Sequence, residues 1–403
     1  MSSSIISQDQ ISSFEILQKQ IDEIKNEICD IKHKNSEILR NRDTDKEEIE
    51  SIKKNIHILS QLVSKLSKYN EPIKSINTHF EVKNIHAYRV CSLIELKDKR
   101  IITGGATGDS SIYISEINYD TKEWKITYKL EKAHDDAIFS LIELSDKRLI
   151  SGSLDKMIKM WNISNPDDIT LIHTFYGHEY RVWKVIPLSD NRIASCSNTP
   201  YYAKLFNGEI KIWELEHPYN LTNFKCEQAI KPFSMIQLKE QNDIICVSCK
   251  SKNNYLFGMA SFTNEYLNFY EINPPFKKRG SIEGIFTYEP NGLIELSNQD
   301  IAVSCKTSIV IVDSVLYVQK FELSSEEYIT GSGSLFELNY NCFLFARGNC
   351  FCQIFMKNGN YNIVYQTKSE DNIYGNNILL TINDGNYVIT EDGCRGCNIL
   401  KYT

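Results

Sequence analysis

Three kinds of side chain in this 403-residue chain could do chemistry: histidines near hydroxyls and carboxylates, closely spaced thiols, and recurring glutamates. His134 and His178 each stand ahead of a strand-like run, and either could be taken alone for a metal ligand. Cys394-x-x-Cys397 and Cys350-x-Cys352 are the closest thiol pairs. A structural zinc needs four ligands, and no histidine stands near either pair at ligand spacing, so they read as structural thiols. Glu95, Glu143, Glu295 and Glu337 recur between apolar neighbours. Gathered in a ring they would make an ion site; as salt-bridged framework residues they would do no chemistry, and the second reading is adopted. No His-Glu-x-x-His, Gly-x-Ser-x-Gly or phosphate loop with its lysine occurs. The glycine-rich Gly104-Gly105-Ala106-Thr107-Gly108-Asp109 fits a turn between two strands. The expectation is therefore no enzyme, no cofactor, no metal and no catalytic residue.

The elements that must position these residues are clearest in KAHDDAIFSLIELSDKRLISGSLDKMIKMWNISN, residues 132–165. Ile138 to Leu144 is one apolar run, Ser145-Asp146-Lys147 a turn, and Arg148 to Ser153 a second run. Leu154-Asp155-Lys156 turns again, and Met157 to Ile163 is a third run holding Trp161. The Leu-Ile-Glu-Leu heart of this unit recurs at Leu93–Leu96, Leu141–Leu144, Val185–Leu188, Met235–Leu238, Leu293–Leu296, Leu335–Leu338 and Leu379–Ile382, 42 to 58 residues apart.

A histidine before the first strand, small hydroxyls ending the second, an aspartate in the next turn and a late tryptophan resemble a WD40 repeat, one four-stranded blade of a β-propeller. WD40 repeats run about 40–45 residues, and propellers carry about 4–8 of them. Seven copies imply an all-β, seven-bladed WD40-like propeller over 76–403. The resemblance makes His134, Ser151 or Ser153, Asp155 and Trp161 a buried hydrogen-bonded tetrad, since a buried carboxylate and a buried indole N–H both need partners. It also implies that the strand read over Ile76–Ile85 closes the ring against the last blade. The signature decays along the chain. Blade 1 has His86, Thr103 and Asp109 but Ser115 at the tryptophan position. Blade 3 has His178 and Trp213, with Asn207 at the aspartate position. Blades 4, 5 and 6 offer Tyr270, Val312-Asp313 and Phe355.

Residues 11–69 are a different object. From Phe14 an a/d heptad series runs through Leu17, Ile21, Ile24, Ile28, Ile31, Asn35, Ile38, Arg42, Asp45, Ile49, Ile52, Ile56, Leu59, Val63 and Leu66 in one unbroken register. This predicts a long helical coiled coil after a disordered 1–10 and before a linker at 70–75. A straight, intermolecular helix fits the register better than a hairpin folded near Asn41–Asp45. It makes the chain a homo-oligomer of open number and orientation, with a heteromeric stem as the other possibility.

Net charge of −7 disfavours a phosphate-backbone binder, and no run of 18 apolar residues spans a membrane. Twelve scattered cysteines and the opening MSSSIISQDQ, with no secretory leader, point to the cytoplasm, with the nucleus also open.

In WD40 propellers the loops before the first strand and between the second and third share one rim, the top face. Two of those segments match: His86-Ala-Tyr88-Arg89-Val90 and His178-Glu-Tyr180-Arg181-Val182. Tyr and Arg are enriched in binding hot spots. Tyr88, Arg89, Tyr180, Arg181 and Trp183, with Tyr201 and Tyr202 of an enlarged blade 3 loop, are the expected protein- or peptide-binding residues. The function expected is an interaction scaffold. A ubiquitin-ligase-type substrate adaptor acting through a partner is the alternative, and an enzyme or ion-binding propeller the weaker one.

Overall fold

The computed structural model describes residues 76–402 apart from 166–167, 200–207, 217–220, 225–229, 240–243, 253–262, 274–276, 284–291, 297, 306–307, 325–333, 340–341, 348–349, 358–359, 369–378, 383–386 and 392–394. The expected disordered start, coiled coil and linker, and Tyr201, Tyr202 and Asn207, lie outside the described residues.

The second repeat shows how the sequence becomes a blade. Its four strands, Ile138–Glu143, Arg148–Ser153, Ile158–Asn165 and Asp168–Phe175, pair antiparallel in chain order. The second strand is enclosed on both faces along most of its length, so it carries small and β-branched residues instead of alternating apolar with polar. Gly152 lies within it because a Cβ there would come 2.8 Å from Val185 of the next blade. Seven such sheets repeat around a ring, an all-β seven-bladed propeller. In each the first strand is innermost, and neighbouring inner strands pack around the central channel.

The ring closes with strand Ile76–Val82. It pairs antiparallel with Cys397–Tyr402 and forms the outer strand of blade 7. This pairing covers an edge that would otherwise be open. Ile76 sits opposite Tyr402, so this strand begins at the end of the blade that carries the third-to-fourth-strand turns, opposite the top face. Each described seam between blades has its own apolar core. Val90, Leu93 and Ile101 of blade 1 meet Ile389 and Ile399 of blade 7. Ile158, Met160 and Phe175 of blade 2 meet Val182, Val185 and Trp213 of blade 3.

Polar seams reinforce the apolar ones. The turn between the first two strands repeats Asp98-Lys-Arg100, Asp146-Lys-Arg148 and Asp190-Asn-Arg192. Its middle residue takes positive φ: 75° at Lys99, 67° at Lys147 and 63° at Asn191. This bend brings arginine back onto aspartate, and the guanidinium then reaches one blade onward to a backbone carbonyl. Arg100 donates to Ile163 O at 3.3 Å, Arg148 to Leu215 O at 3.0 Å and Arg192 to Ile272 O at 3.3 Å. In blade 5 the corresponding position is Asp300, which joins Tyr361 of blade 6 instead.

Two of the four recurring glutamates, Glu143 and Glu295, bond across these seams. Glu143 Oε2 accepts from Lys97 N at 2.9 Å and Glu295 Oε2 from Lys239 N at 2.6 Å, each crossing to the preceding blade. Gln237 makes the same bond to Ser189 N at 3.0 Å. A carboxylate bonded to backbone N–H is a framework acceptor, which is the role of Glu143 and Glu295. Among the described residues no cluster of three or more potential ligands forms a metal site.

One residue assigned from sequence is displaced. Leu335 pairs with Phe345, and Phe343 with Ile354, so Ile354 occupies the tryptophan position in blade 6 and Phe355 lies one residue beyond. A slip of one residue exchanges the sheet faces, and it is Ile354 that is fully buried in the seam.

Candidate functional site

The tetrad of blade 2 is a complete hydrogen-bond chain. Trp161 Nε1 donates to Ser151 Oγ at 2.8 Å, Ser151 Oγ lies 2.8 Å from His134 Nε2, and His134 Nδ1 lies 2.7 Å from Asp155 Oδ2. A carboxylate only accepts, so Nδ1 carries the proton and Nε2 accepts from the serine hydroxyl. Every polar atom is satisfied with the histidine neutral. Burial lowers the pKa of His134, against the pull of Asp155. Of the two hydroxyl candidates, Ser151 is the tetrad member; Ser153 Oγ donates instead to Asp136 O at 3.0 Å.

Blades 1 and 3 vary the same device. His86 bonds Asp109 and Thr103, each at 2.9 Å, and stacks on Tyr113 with ring centroids 4.3 Å apart. Ser115 is fully buried where Trp161 stands in blade 2. In blade 3 His178 meets Ser195 at 2.7 Å, and Trp213 Nε1 donates to that serine at 2.7 Å. The carboxylate partner is Glu209, 3.1 Å from His178 Nδ1, from inside the third strand and not from the turn before it. Burial would raise the Glu209 carboxyl, but bonds from His178 and Glu179 N, with Lys211 beside it, hold it down to about 2. Sequence reading placed Asn207 at the aspartate position and passed over Glu209, two residues further on. In all three blades the carboxylate also accepts the N–H after the histidine, from Ala87, Asp135 and Glu179. The tetrads thereby hold the loop that opens onto the top face.

That loop differs blade by blade. In blade 1, Tyr88 is 52% exposed and its ring covers Gly108, where a Cβ would come within 3.0 Å. Arg89 O accepts from Ala106 N at 2.9 Å, tying loop to turn. Blade 2 carries Asp136-Ala137 in place of the Tyr-Arg pair, and Thr107 Oγ1 donates to Asp136 Oδ1 at 2.6 Å across the seam. Blade 3 returns to Tyr180 and Arg181, both partly exposed. The two Tyr-Arg pairs therefore share a rim but flank an acidic blade; they do not touch.

Of the channel mouth, sequence reading named Trp183 and missed Phe139. In blades 1 to 4 the inner strand carries a β-bulge near its start, with the extra residue at Cys91, Phe139, Trp183 and Phe233. Bulges re-aim a side chain out of the regular pleat. Phe139 and Trp183, both partly exposed, meet edge-to-face with centroids 4.9 Å apart. Trp183 Nε1 donates to Asn198 Oδ1 at 2.9 Å, which fixes the indole. Aligning the copies strand by strand would have shown aromatics at one position in three consecutive blades.

Comparison with known proteins agrees with this geometry. The family model described as WD domain, G-beta repeat (WD40) matches residues 124–162, the outer strand of blade 1 through the tetrad tryptophan of blade 2. No curated protein matches the chain. Among 1003 matching chains of solved structures, the crystal structure of the WD40 beta propeller domain of Doa1 superposes with a TM-score of 0.59 at 13% identity. The match covers 81% of this chain and 97% of that one. At such identity the likeness concerns the fold, which is that of a WD40 β-propeller.

Proposed function

We propose that this protein is a non-catalytic interaction scaffold that binds a protein or peptide on the top face of blades 1 to 3. The observation that carries the reading is an exposed tyrosine at a rim fixed by buried tetrads, beside the aromatic mouth of the channel. Tyr88 is held on Gly108, Trp183 is held by Asn198, and Arg89 and Arg181 border them. Rigid aromatic surface next to arginine lowers the entropic cost of binding and supplies charge-assisted hydrogen bonds. Arg89→Glu with Arg181→Glu should abolish capture of proteins retained by the wild-type chain while the thermal midpoint stays within about 2 °C, since surface substitutions of this kind change stability by about 0.5 kcal/mol. Undiminished capture by the double variant would end the top-face assignment.

The second part of the proposal concerns assembly. Residues 11–69 carry the heptad stripe, and the strand that follows begins on the face opposite the rim. Copies joined there would present several top faces outward and gain avidity for a repeated partner. Light scattering should give a whole-number multiple of the chain mass for the full chain, falling to a single copy when residues 1–69 are removed. A full chain that scatters as one copy would refute self-assembly.

A further inference from the structure

The seam between blades 1 and 2 encloses a cavity of about 310 Å³ at the ends of strands on the face opposite the rim. Lys97, Asp98 and Arg100 of blade 1 line it together with Glu143, Lys147 and Ser164 of blade 2. Its two carboxylates are already engaged. Asp98 Oδ2 accepts from Arg100 Nε at 3.0 Å and Nη2 at 2.7 Å, and Oδ1 from Arg100 N at 3.2 Å. Glu143 Oε2 accepts from Lys97 N at 2.9 Å. The lysine amines are held far less. Lys97 Nζ lies 3.5 Å from Ser145 O, beyond the usual range of such a bond. Burial would raise the Asp98 carboxyl, but Arg100 and, more weakly, Lys147 hold it below its ordinary value. Lys147 exerts that pull through space, without an ion pair to any described residue.

The next seam is an internal control. Between blades 2 and 3, Ser145 stands for Lys97 and Asn191 for Lys147, and the arginine clamp still closes, from Arg148 to Leu215 O. The framework therefore does not require the two lysines. The clamp of blade 1 is also incomplete. Arg148 Nη1 donates to Leu215 O and Arg192 Nη1 to Ile272 O, and the other guanidinium nitrogens of both are bonded to aspartate. In blade 1 it is Nη2 that reaches Ile163 O, and Arg100 Nη1 is buried with no hydrogen-bond partner. An unused buried N–H is a cost that an acceptor seated against the guanidinium would remove.

We propose that this cavity binds a phosphoryl group, held by the ammonium groups of Lys97 and Lys147 and by the guanidinium of Arg100. The class follows from the donors: a phosphoryl group brings nearly two charges and three strong acceptor oxygens to three cations, whereas a carboxylate brings one charge. The volume stands at the lower end for small-molecule sites, which fits a single phosphorylated group. The site lies on the face opposite the rim and does not rest on the top-face reading.

The test titrates the full chain with inorganic phosphate and with N-acetyl-O-phosphoserine amide, followed by phosphorus NMR at fixed ionic strength so that screening stays constant. Saturable binding with a dissociation constant of about 1 mM or tighter is expected. Both binding results support the site: an ester that binds about tenfold tighter names a phosphorylated side chain as the source, and comparable affinities name free phosphate. Lys97→Ser with Lys147→Asn copies the seam of blades 2 and 3, so it should weaken binding about tenfold or more while the thermal midpoint in phosphate-free buffer stays within about 2 °C. Lys97→Gln with Lys147→Gln gives the same readout if the first variant fails to fold. No saturable binding of either probe up to about 10 mM, or unchanged binding by the double variant, would overturn the proposal. Neither result bears on partner capture by the arginine double variant, so this site and the top-face reading can fail separately.

Discussion

Trp213→Ala lowers the free energy of unfolding by about 3–5 kcal/mol, the range for truncating a buried aromatic in a packed core. Trp213 heads the fully buried side chains of the described residues. It packs edge-to-face on Phe175 of blade 2 at 5.5 Å and on His178 at 5.6 Å, so its removal opens a cavity in the seam between blades 2 and 3. It also removes the N–H that Ser195 accepts. Trp213→Phe separates these contributions, since it keeps most of the ring contact and loses the hydrogen bond; it should cost about 1–2 kcal/mol. Urea unfolding with an unchanged slope is the measurement, and the midpoint should fall in the order wild type, Phe, Ala. A loss below about 1 kcal/mol for Ala would show that the seam does not depend on this residue.

Acidification should weaken the fold well before ordinary carboxylates titrate. His86, His134 and His178 are each held neutral by burial, which lowers their pKa values despite the adjoining carboxylates. A histidine whose folded pKa lies below its unfolded value binds more protons when unfolded. Its stabilising effect is complete above the unfolded pKa, near 6.5, and is lost as pH falls below it. Each such histidine contributes a slope of up to about 1.4 kcal/mol per pH unit, so three contribute at most about 4 kcal/mol between pH 6.5 and 5.5. Asp109, Asp155 and Glu209 act in the same direction at lower pH: burial alone would raise them, but hydrogen bonds from the histidines and backbone hold them below their ordinary values. Their contribution is lost as pH falls below about 4. Asp300, raised by burial, opposes them there. Unfolding free energy measured from pH 8 to 5 should be flat above 7 and fall steeply below 6.5, and His134→Gln should flatten the slope by about a third. A level profile down to pH 5 would show that the tetrads do not hold neutral histidines.

The seams place these expectations in one frame. Each blade is a sheet with both faces enclosed, so its stability comes mainly from neighbours, through apolar contact, arginine clamps and glutamate bonds. The tetrads lie inside the first three blades and fix the loops above them.

By itself the sequence determined the repeat, the number of blades and the tetrad of blade 2 apart from the choice between Ser151 and Ser153. Those are local facts: strand alternation, turn residues at fixed offsets, and a buried donor and acceptor that must find partners within one hairpin-linked unit. Only the tertiary structure decided what crosses between units. Glu209 supplies the carboxylate that the turn of blade 3 lacks, because a longer side chain from the strand reaches the same histidine. Ile354, not Phe355, filled the blade 6 position because register, not residue type, selects the buried face. The bulges at Phe139 and Trp183 and the reach of Arg148 to the next blade depend on how one strand lies against another many residues away. A pattern read along the chain records what each strand needs for its own sheet. The repeat places an aromatic at the same position of successive copies, but the contact between Phe139 and Trp183 at the channel mouth is set by the packing of separate sheets.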